Sequence, residues 1–230
     1  ATLEGTREFS SANLDDLKKA CCYAFADYLC KLAGDYVEDT DRSYFTVFSS
    51  ESSVLAPGVK QEIKYATTAD GEQTKFYLAT ADITRADVHV FANYKDNNPA
   101  GGWGLQRLLE QANAAQKKYG DPASEHYRPN YSVIASINGA GFNMSTGEPG
   151  GLLVMGGVEY CKIDNGGFFG ILDDGTAVIG TTEEYNTIYK GHVQEGIAGF
   201  GAVLIKDGEI VVPHSDTYMN DRASRTAIGI

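Results

Sequence analysis

The sequence has few basic residues and no long apolar run, and both shortages exclude classes of function. Lysine and arginine together number 19 against 31 aspartates and glutamates, which gives a formal net charge of −12. Because nucleic-acid affinity comes mainly from cations that neutralise phosphates, we expect no nucleic-acid partner. No apolar run approaches the roughly 20 residues that a membrane-spanning helix needs, so we also expect no membrane span.

The sequence also lacks the short motifs of several common active sites. It contains no GxSxG, HExxH, CxxC or Walker motif, and the glycines around Gly139 do not have the GxGxxG spacing of a dinucleotide site. His89 has no second candidate ligand at metal-binding spacing. We therefore expect no metal and no cofactor.

Four cysteines leave the redox compartment open. Cys21, Cys22 and Cys30 lie within one predicted helix, where residues at these spacings cannot reach disulfide geometry. Cys161 is therefore the only candidate partner for one of them, and buried thiols are the alternative. Since the chain begins at Ala1 rather than methionine, we expect a mature chain from which a signal peptide was removed, located outside the cell or on its surface.

Apolar periodicity predicts an α+β fold in which β-sheets dominate. An apolar stripe with spacings of three and four begins after Asn13 and stops at Gly34, which predicts an amphipathic helix. We expect residues 1–43 to form an N-terminal helical appendage that packs on a main domain of residues 44–230, and a partner-binding helix is the alternative. A second helix is predicted over Gly104–Tyr119 with its leucines facing inward.

Alternating segments predict several short antiparallel strands. EIKYATT and KFYLATADI flank Asp70-Gly71 as the strands of a hairpin do, and residues 87–94 read as a further strand. After residue 157 the turns at Asp174-Gly175 and Asp207-Gly208 separate segments of a predicted meander, interrupted by a possible helix over residues 183–194. The two predicted helices thus account for less of the chain than the predicted strands do.

Residues 131–157 read as a strand, a glycine-rich loop and a second strand. β-Branched residues precede Asn138-Gly139, and Leu152–Met155 forms the second apolar run. Glycines allow backbone N–H groups to come close to a ligand, so this loop is a candidate binding site. Its candidate contact residues are Asn138, Gly139, Phe142, Asn143 and Glu148. The alternative is a long connection that only reverses the chain.

The segment INGAGFN, followed by GEPGGLLV, resembles the N-G-G-F-F and G-x-P-x-G segment of the phosphodiester glycosidase family. Other segments agree in order, and the resemblance covers roughly residues 45–230. These segments are LAPGV from Leu55, YLATAD from Tyr77 with ADVHV from Ala86, FGI from Phe169 with Asp174-Gly175, and RTAIG from Arg225. Asn143 departs from the family pattern, which usually has a second phenylalanine there.

The resemblance implies a hydrolase that cleaves a sugar-1-phosphate diester or a related glycan linkage. Phosphate is a good leaving group, so a cation and backbone N–H donors can carry much of the transition-state stabilisation. Arg225 and Thr226 match the Arg-Thr motif of the family, and we assign Arg225 to the site; its alternative role is a structural ion pair. Glu148 and Asp221 are the candidate carboxylates for proton transfer.

The resemblance also implies that part of the active site is supplied by another polypeptide. Members of the family continue into an Asp-Gly-Arg motif and an Asn-Leu-Asp-Gly-Gly-Gly-Ser-Ser segment, and neither motif occurs here. RTAIGI alternates like the start of a strand, so we expect proteolytic processing after Ile230 and a heterodimer with the C-terminal fragment of the same precursor. Self-cleavage is the bolder form of this hypothesis, and accidental proteolysis is the alternative. A non-catalytic carbohydrate-binding or adhesion module is the alternative function, favoured by Asn143.

Overall fold

The computed structural model describes residues 45–68, 71–162, 166–199, 201, 203–211 and 224–230. The chain divides into two compact units, a first unit of Ala1–Asp82 with Leu204–Gly229 and a second unit of Ile83–Val203 with Ile230. The predicted N-terminal helix, its three cysteines and Asp221 lie outside the described residues. The predictions for them, and the domain boundary after residue 43, therefore stay predictions.

The first unit contains a three-stranded antiparallel sheet. Strands β1 (Phe45–Ala56), β2 (Val59–Thr68) and β3 (Gln73–Ala81) lie in the order β1-β2-β3. Gly71 has a φ of +85° in the turn between β2 and β3, so the predicted hairpin is confirmed.

A small hairpin near the C-terminus belongs to the same unit. Strands β9 (Ile205–Lys206) and β10 (Glu209–Ile210) pair across Asp207 and Gly208, whose φ angles are 52° and 79°. Positive φ at both central residues is what a tight hairpin turn of this kind requires. The predicted Asp-Gly turn is thus confirmed.

The second unit is built on a five-stranded antiparallel sheet. Its strands are β4 (Leu153–Met155), β5 (Val158–Cys161), β6 (Gly167–Leu172), β7 (Ala177–Thr181) and β8 (Val193–Ala198), in the order β5-β4-β8-β6-β7. The last strand lies between β4 and β6, so the predicted simple meander is wrong. Local turns fix hairpins such as β6–β7, but the insertion of β8 is a long-range pairing that alternation does not reveal.

A compact apolar core covers one side of this sheet. Leu152, Val154 and Phe168 are at most 2% exposed and pack with Tyr185. Tyr185 opens a π-helical turn, Tyr185–Tyr189, that follows the helical turn Thr182–Glu184. The predicted helix over residues 183–194 is therefore much shorter, because Gly191 with a φ of +91° turns the chain into β8.

Helix α1 spans Leu108–Gly120 and begins four residues later than the sequence predicts. Ala112 and Ala115 are its buried residues, whereas Leu108 and Leu109 are 39% and 71% exposed. The predicted inward orientation of the leucines is therefore wrong. The later start of the helix has a local cause, because the N–H of Gly104 donates to the hydroxyl of Tyr94 and the residues that lead into the helix are extended.

Three predicted strands do not form in the described residues: residues 87–94, 131–137 and 225–230 contain no strand. Side chains, rather than a neighbouring strand, accept several N–H groups of the first two segments. The N–H of Ala92 donates to Glu195, and that of Val133 donates to Gln116.

The sheet-dominated α+β fold is confirmed by the remaining strands. No helix in the described part of the chain is long and apolar enough to cross a membrane.

Candidate functional site

The glycine-rich loop is a narrow reversal of the chain held by backbone hydrogen bonds. Phe142 and Pro149 form an isolated antiparallel bridge, and the N–H of Gly150 donates to the carbonyl oxygen of Gly141 at 2.7 Å. At the tip, the N–H of Asn143 donates to the carbonyl oxygen of Glu148 at 2.8 Å. At these positions the backbone N–H and carbonyl groups of the loop therefore hydrogen-bond to each other.

The Asn143 side chain stabilises the tip of this loop. Its Oδ1 accepts the N–H groups of Ser145 at 2.9 Å and Thr146 at 3.2 Å, the pattern of an Asx turn. A phenylalanine, which the related family usually has here, offers no such acceptor. The departure at Asn143 thus coincides with a different way of closing the loop.

The loop is anchored to the segment before α1 through Tyr94. The hydroxyl of this buried tyrosine lies 2.8 Å from the carbonyl oxygen of Gly147 and 2.8 Å from the nitrogen of Gly104. Trp103 packs edge-on against the Tyr94 ring, with the ring centroids 5.4 Å apart. Gly147 has a φ of +78°, and a Cβ at this position would overlap the carbonyl group of Gly104. Close backbone packing therefore explains this glycine without a ligand.

The loop brings together five of the eight predicted site residues. All five are exposed, with Phe142 at 50%, and the structure places them in the second unit: Asn138, Gly139, Phe142, Asn143 and Glu148. The carboxylate of Glu148 has no hydrogen-bond partner among the residues that the structure describes. It is open to solvent and to a ligand.

The remaining predicted site residues lie elsewhere in the chain. Arg225 and Thr226 belong to the first unit, where Nη1 of Arg225 donates to the carbonyl oxygen of Ser224 at 3.3 Å. Asp221 lies outside the described residues. The assignment of these three residues to the site stays a prediction.

A partly buried carboxylate that the sequence does not single out lies on β8. Oε2 of Glu195 accepts the N–H of Ala92 at 3.0 Å, and Oε1 accepts that of Gly156 at 3.1 Å. Burial raises the pKa of Glu195, and the two N–H donors and Arg128 act in the opposite direction. Glu195 thus joins β8 to the β4–β5 turn and to the segment before α1.

Next to Glu195 lies a group of rings around one arginine, which we call the arginine–aromatic cluster: Phe91, Tyr119, Arg128 and Tyr131. The guanidinium carbon of Arg128 lies 4.4 Å from the centroid of the Tyr119 ring and 5.8 Å from that of Phe91. The Tyr131 ring lies 5.2 Å from Tyr119 and 6.4 Å from Phe91. Burial is the main cause that raises the pKa of Tyr131.

Sequence reasoning missed this cluster because its members come from three separate segments. Asn130 has a φ of +62°, and this turn places Arg128 and Tyr131 close to each other. The local pattern Tyr127-Arg128-Pro129-Asn130-Tyr131 signals a turn with aromatic flanks, but Phe91 and Glu195 are distant in sequence. Only the folded chain reveals the cluster.

Candidate metal ligands do not gather in the described part of the chain, where no three His, Cys, Asp or Glu side chains form a group that could hold an ion. The His89 ring packs instead against Phe91, with the centroids 5.9 Å apart. The described residues therefore offer chemistry based on carboxylates, backbone donors and one stacked guanidinium.

Residues 131–230 match the sequence model of the phosphodiester glycosidase family. This segment is similar to the phosphodiester glycosidases. The resemblance noted from the sequence is thus confirmed over this part of the chain, and the type of activity it indicates is that of a hydrolase. No curated protein matches the chain.

The matched segment contains the whole glycine-rich loop, the five-stranded sheet and the Arg-Thr motif. Two residues of interest that sequence reasoning missed, Tyr131 and Glu195, also fall within it, whereas Arg128 lies three residues before its start. The candidate chemistry of the described residues is therefore concentrated in or beside the matched segment.

Proposed function

We propose that this chain forms part of a secreted or cell-surface hydrolase that cleaves a sugar-1-phosphate diester or a related glycan linkage. The single observation that carries the proposal is the phosphodiester glycosidase match over residues 131–230, which includes both the glycine-rich loop and Arg225.

In the proposed reaction, Arg225 neutralises the phosphate while water attacks the anomeric carbon. The new bond joins the water oxygen to the anomeric carbon, and the bond between that carbon and the phosphate oxygen breaks with its electron pair on the phosphate. Glu148, whose carboxylate is exposed, accepts the proton of the attacking water. Asp221 is the alternative base.

Substrate recognition in this proposal uses the exposed part of the loop. The Asn138 side chain would hydrogen-bond sugar hydroxyls, and the half-exposed ring of Phe142 would pack on the apolar face of a sugar. Gly139 lets the backbone come close to the ligand, and Asn143 and Thr226 complete the contact set.

We further propose that the C-terminal fragment of the same precursor completes the fold. Residues 131–139 run without a strand partner among the described residues, although the segment contains the β-branched residues Val133, Ile134 and Ile137. Ile134 and Ile137 are 39% and 48% exposed there. A strand added beside this segment would cover both isoleucines.

Hydrolysis of synthetic sugar-1-phosphate diesters by the complete precursor tests the catalytic proposal. We expect turnover by the wild type and a loss of at least about a hundredfold in Arg225→Ala, because a charge that stabilises the transition state is removed. Arg85→Ala is the matched control, since Arg85 is an exposed arginine paired with Asp87. Equal activity of the Arg225→Ala variant would contradict the role of this residue.

The alternative function is a non-catalytic carbohydrate-binding or adhesion module. The observation in its favour is that Asn143, the departure from the family pattern, is engaged in closing its own loop. Glycan binding without turnover of any diester by the complete precursor would select this alternative.

Intact-mass spectrometry of that precursor tests whether a C-terminal fragment completes the fold. Self-cleavage is expected to yield a companion fragment that begins with Ser, Thr or Cys.

A further inference from the structure

The guanidinium of Arg128 packs against two aromatic rings. It stacks over Tyr119 at 4.4 Å from the ring centroid, and the Arg128 backbone is fixed by a 2.7 Å hydrogen bond from its N–H to the carbonyl oxygen of Tyr119. Among the residues that the structure describes, no acceptor lies within hydrogen-bonding distance of this guanidinium. A pre-ordered arginine with unoccupied donors is suited to bind a planar or tetrahedral anion.

The rings beside Arg128 offer an apolar surface. Phe91 is 44% exposed, and its ring centroid lies 5.8 Å from the guanidinium carbon of Arg128 and 6.4 Å from the centroid of the Tyr131 ring. Tyr131 is partly buried between Tyr119 and Phe91. An exposed aromatic ring next to a guanidinium fits a ligand that combines an apolar face with an anionic group, as a sugar phosphate does.

Glu195 is the nearby negative charge that would oppose an anion. Its two oxygens are, however, each occupied by a backbone N–H, from Ala92 and from Gly156. Hydrogen bonds from these two donors disperse the carboxylate charge, and Glu195 makes no ion pair with Arg128 among the described residues. The cation therefore stays available to a ligand.

We propose that Arg128, Phe91 and Tyr131 form a binding subsite for a phosphorylated sugar, outside the glycine-rich loop. Arg128 binds the phosphate through two parallel N–H donors, and the ring of Phe91 packs on the sugar. The choice of ligand class rests on the proposed function, whereas the site itself rests on the geometry of the cluster.

Titration of the full chain with glucose 1-phosphate, inorganic phosphate and glucose tests the subsite, with binding followed by calorimetry. We expect the sugar phosphate to bind most tightly. Arg128→Ala should weaken its binding at least about tenfold, because charge-assisted hydrogen bonds are lost. Arg128→Lys should recover only part of that loss, since lysine keeps the charge but not the planar fork.

Phe91→Ala tests the contact with the sugar apart from the contact of Arg128 with the phosphate. It should weaken binding of the sugar phosphate more than binding of inorganic phosphate, because only the former uses the ring. Arg85→Ala should leave all three affinities unchanged. Circular dichroism of each variant confirms that the fold is retained.

These experiments distinguish an error in the proposed subsite from an error in the proposed reaction. If the sugar phosphate does not bind, or if binding is equal in wild type and in a folded Arg128→Ala or Arg128→Lys variant, the subsite is wrong. Arg128-dependent binding together with an absence of diester hydrolysis by the complete precursor would support the subsite and overturn the catalytic proposal. Equal affinity for inorganic phosphate and the sugar phosphate would overturn the sugar-binding role of Phe91.

Discussion

The hydroxyl of Tyr94 lies 2.8 Å from the carbonyl oxygen of Gly147 and ties the tip of the glycine-rich loop to the segment before α1. The same hydroxyl accepts the N–H of Gly104 at 2.8 Å, so one phenolic oxygen satisfies two backbone groups that are 43 residues apart. The loop that carries most of the predicted contact residues is thus supported by a side chain that belongs to no strand or helix.

Tyr94→Phe should lower the free energy of unfolding by about 1–3 kcal/mol, because the buried carbonyl of Gly147 and the half-buried N–H of Gly104 lose their partner. Urea denaturation followed by tyrosine and tryptophan fluorescence measures the change. Tyr127→Phe is the matched control, since Tyr127 is 41% exposed. Equal stability of the two variants would show that the Tyr94 hydroxyl does not hold the loop.

Gly147→Ala should be more destabilising than Gly175→Ala. The two glycines have similar φ angles of +78° and +86°, but a Cβ at 147 overlaps the Gly104 carbonyl group, whereas a Cβ at 175 meets nothing within 4 Å. Gly175→Ala should therefore cost about 1–2 kcal/mol from backbone strain alone. Gly147→Ala should cost more, because steric overlap with backbone cannot be relieved by a side-chain movement. Chemical denaturation of both variants checks the order, which would be reversed or absent if the loop moved freely.

Tyr185→Phe should destabilise the second unit by about 1.5–3 kcal/mol. Its buried hydroxyl donates to Oε2 of Glu159 at 2.7 Å, and hydrogen bonds to charged groups contribute more than neutral ones. Tyr189→Phe is the control, since Tyr189 contributes a ring contact with Phe168 instead. Thermal unfolding by calorimetry should show a lower Tm for Tyr185→Phe only.

Glu195→Gln should change how stability depends on pH. Burial raises the pKa of Glu195, so the folded protein holds its proton at pH values where the unfolded chain, with a pKa of about 4.3, has released it. Stability contributed by this group is therefore present below the unfolded pKa and is lost as pH rises through the folded pKa. The free energy of unfolding of the wild type, minus that of Glu195→Gln, should fall as pH rises above about 4.3.

Denaturation curves at several pH values between 4 and 7 measure this difference. Glu183→Gln is the control, because Glu183 is an exposed carboxylate on the helical turn before Tyr185. A difference between wild type and Glu195→Gln that does not vary with pH would contradict the effect of burial on this pKa.

The sequence by itself determined the features that depend on neighbouring residues. Gly71, Gly175 and Gly208 take positive φ in the turns where Asp-Gly pairs predict them, and the hairpins β2–β3, β6–β7 and β9–β10 form around these turns. The backbone freedom of glycine acts within a few residues and can be read from the chain. The phosphodiester glycosidase resemblance over residues 131–230 was likewise present in the order of the motifs.

Only the tertiary structure decided the features that depend on distant partners. Whether residues 87–94 and 131–137 become strands depends on a neighbour to accept their N–H groups, and Glu195 and Gln116 take that role for Ala92 and Val133. The insertion of β8 between β4 and β6, and the packing of Arg128 against rings from separate segments, arise in the same way. Propensity and alternation describe one strand at a time, whereas a ladder or a cluster is a property of pairs that are far apart in the chain.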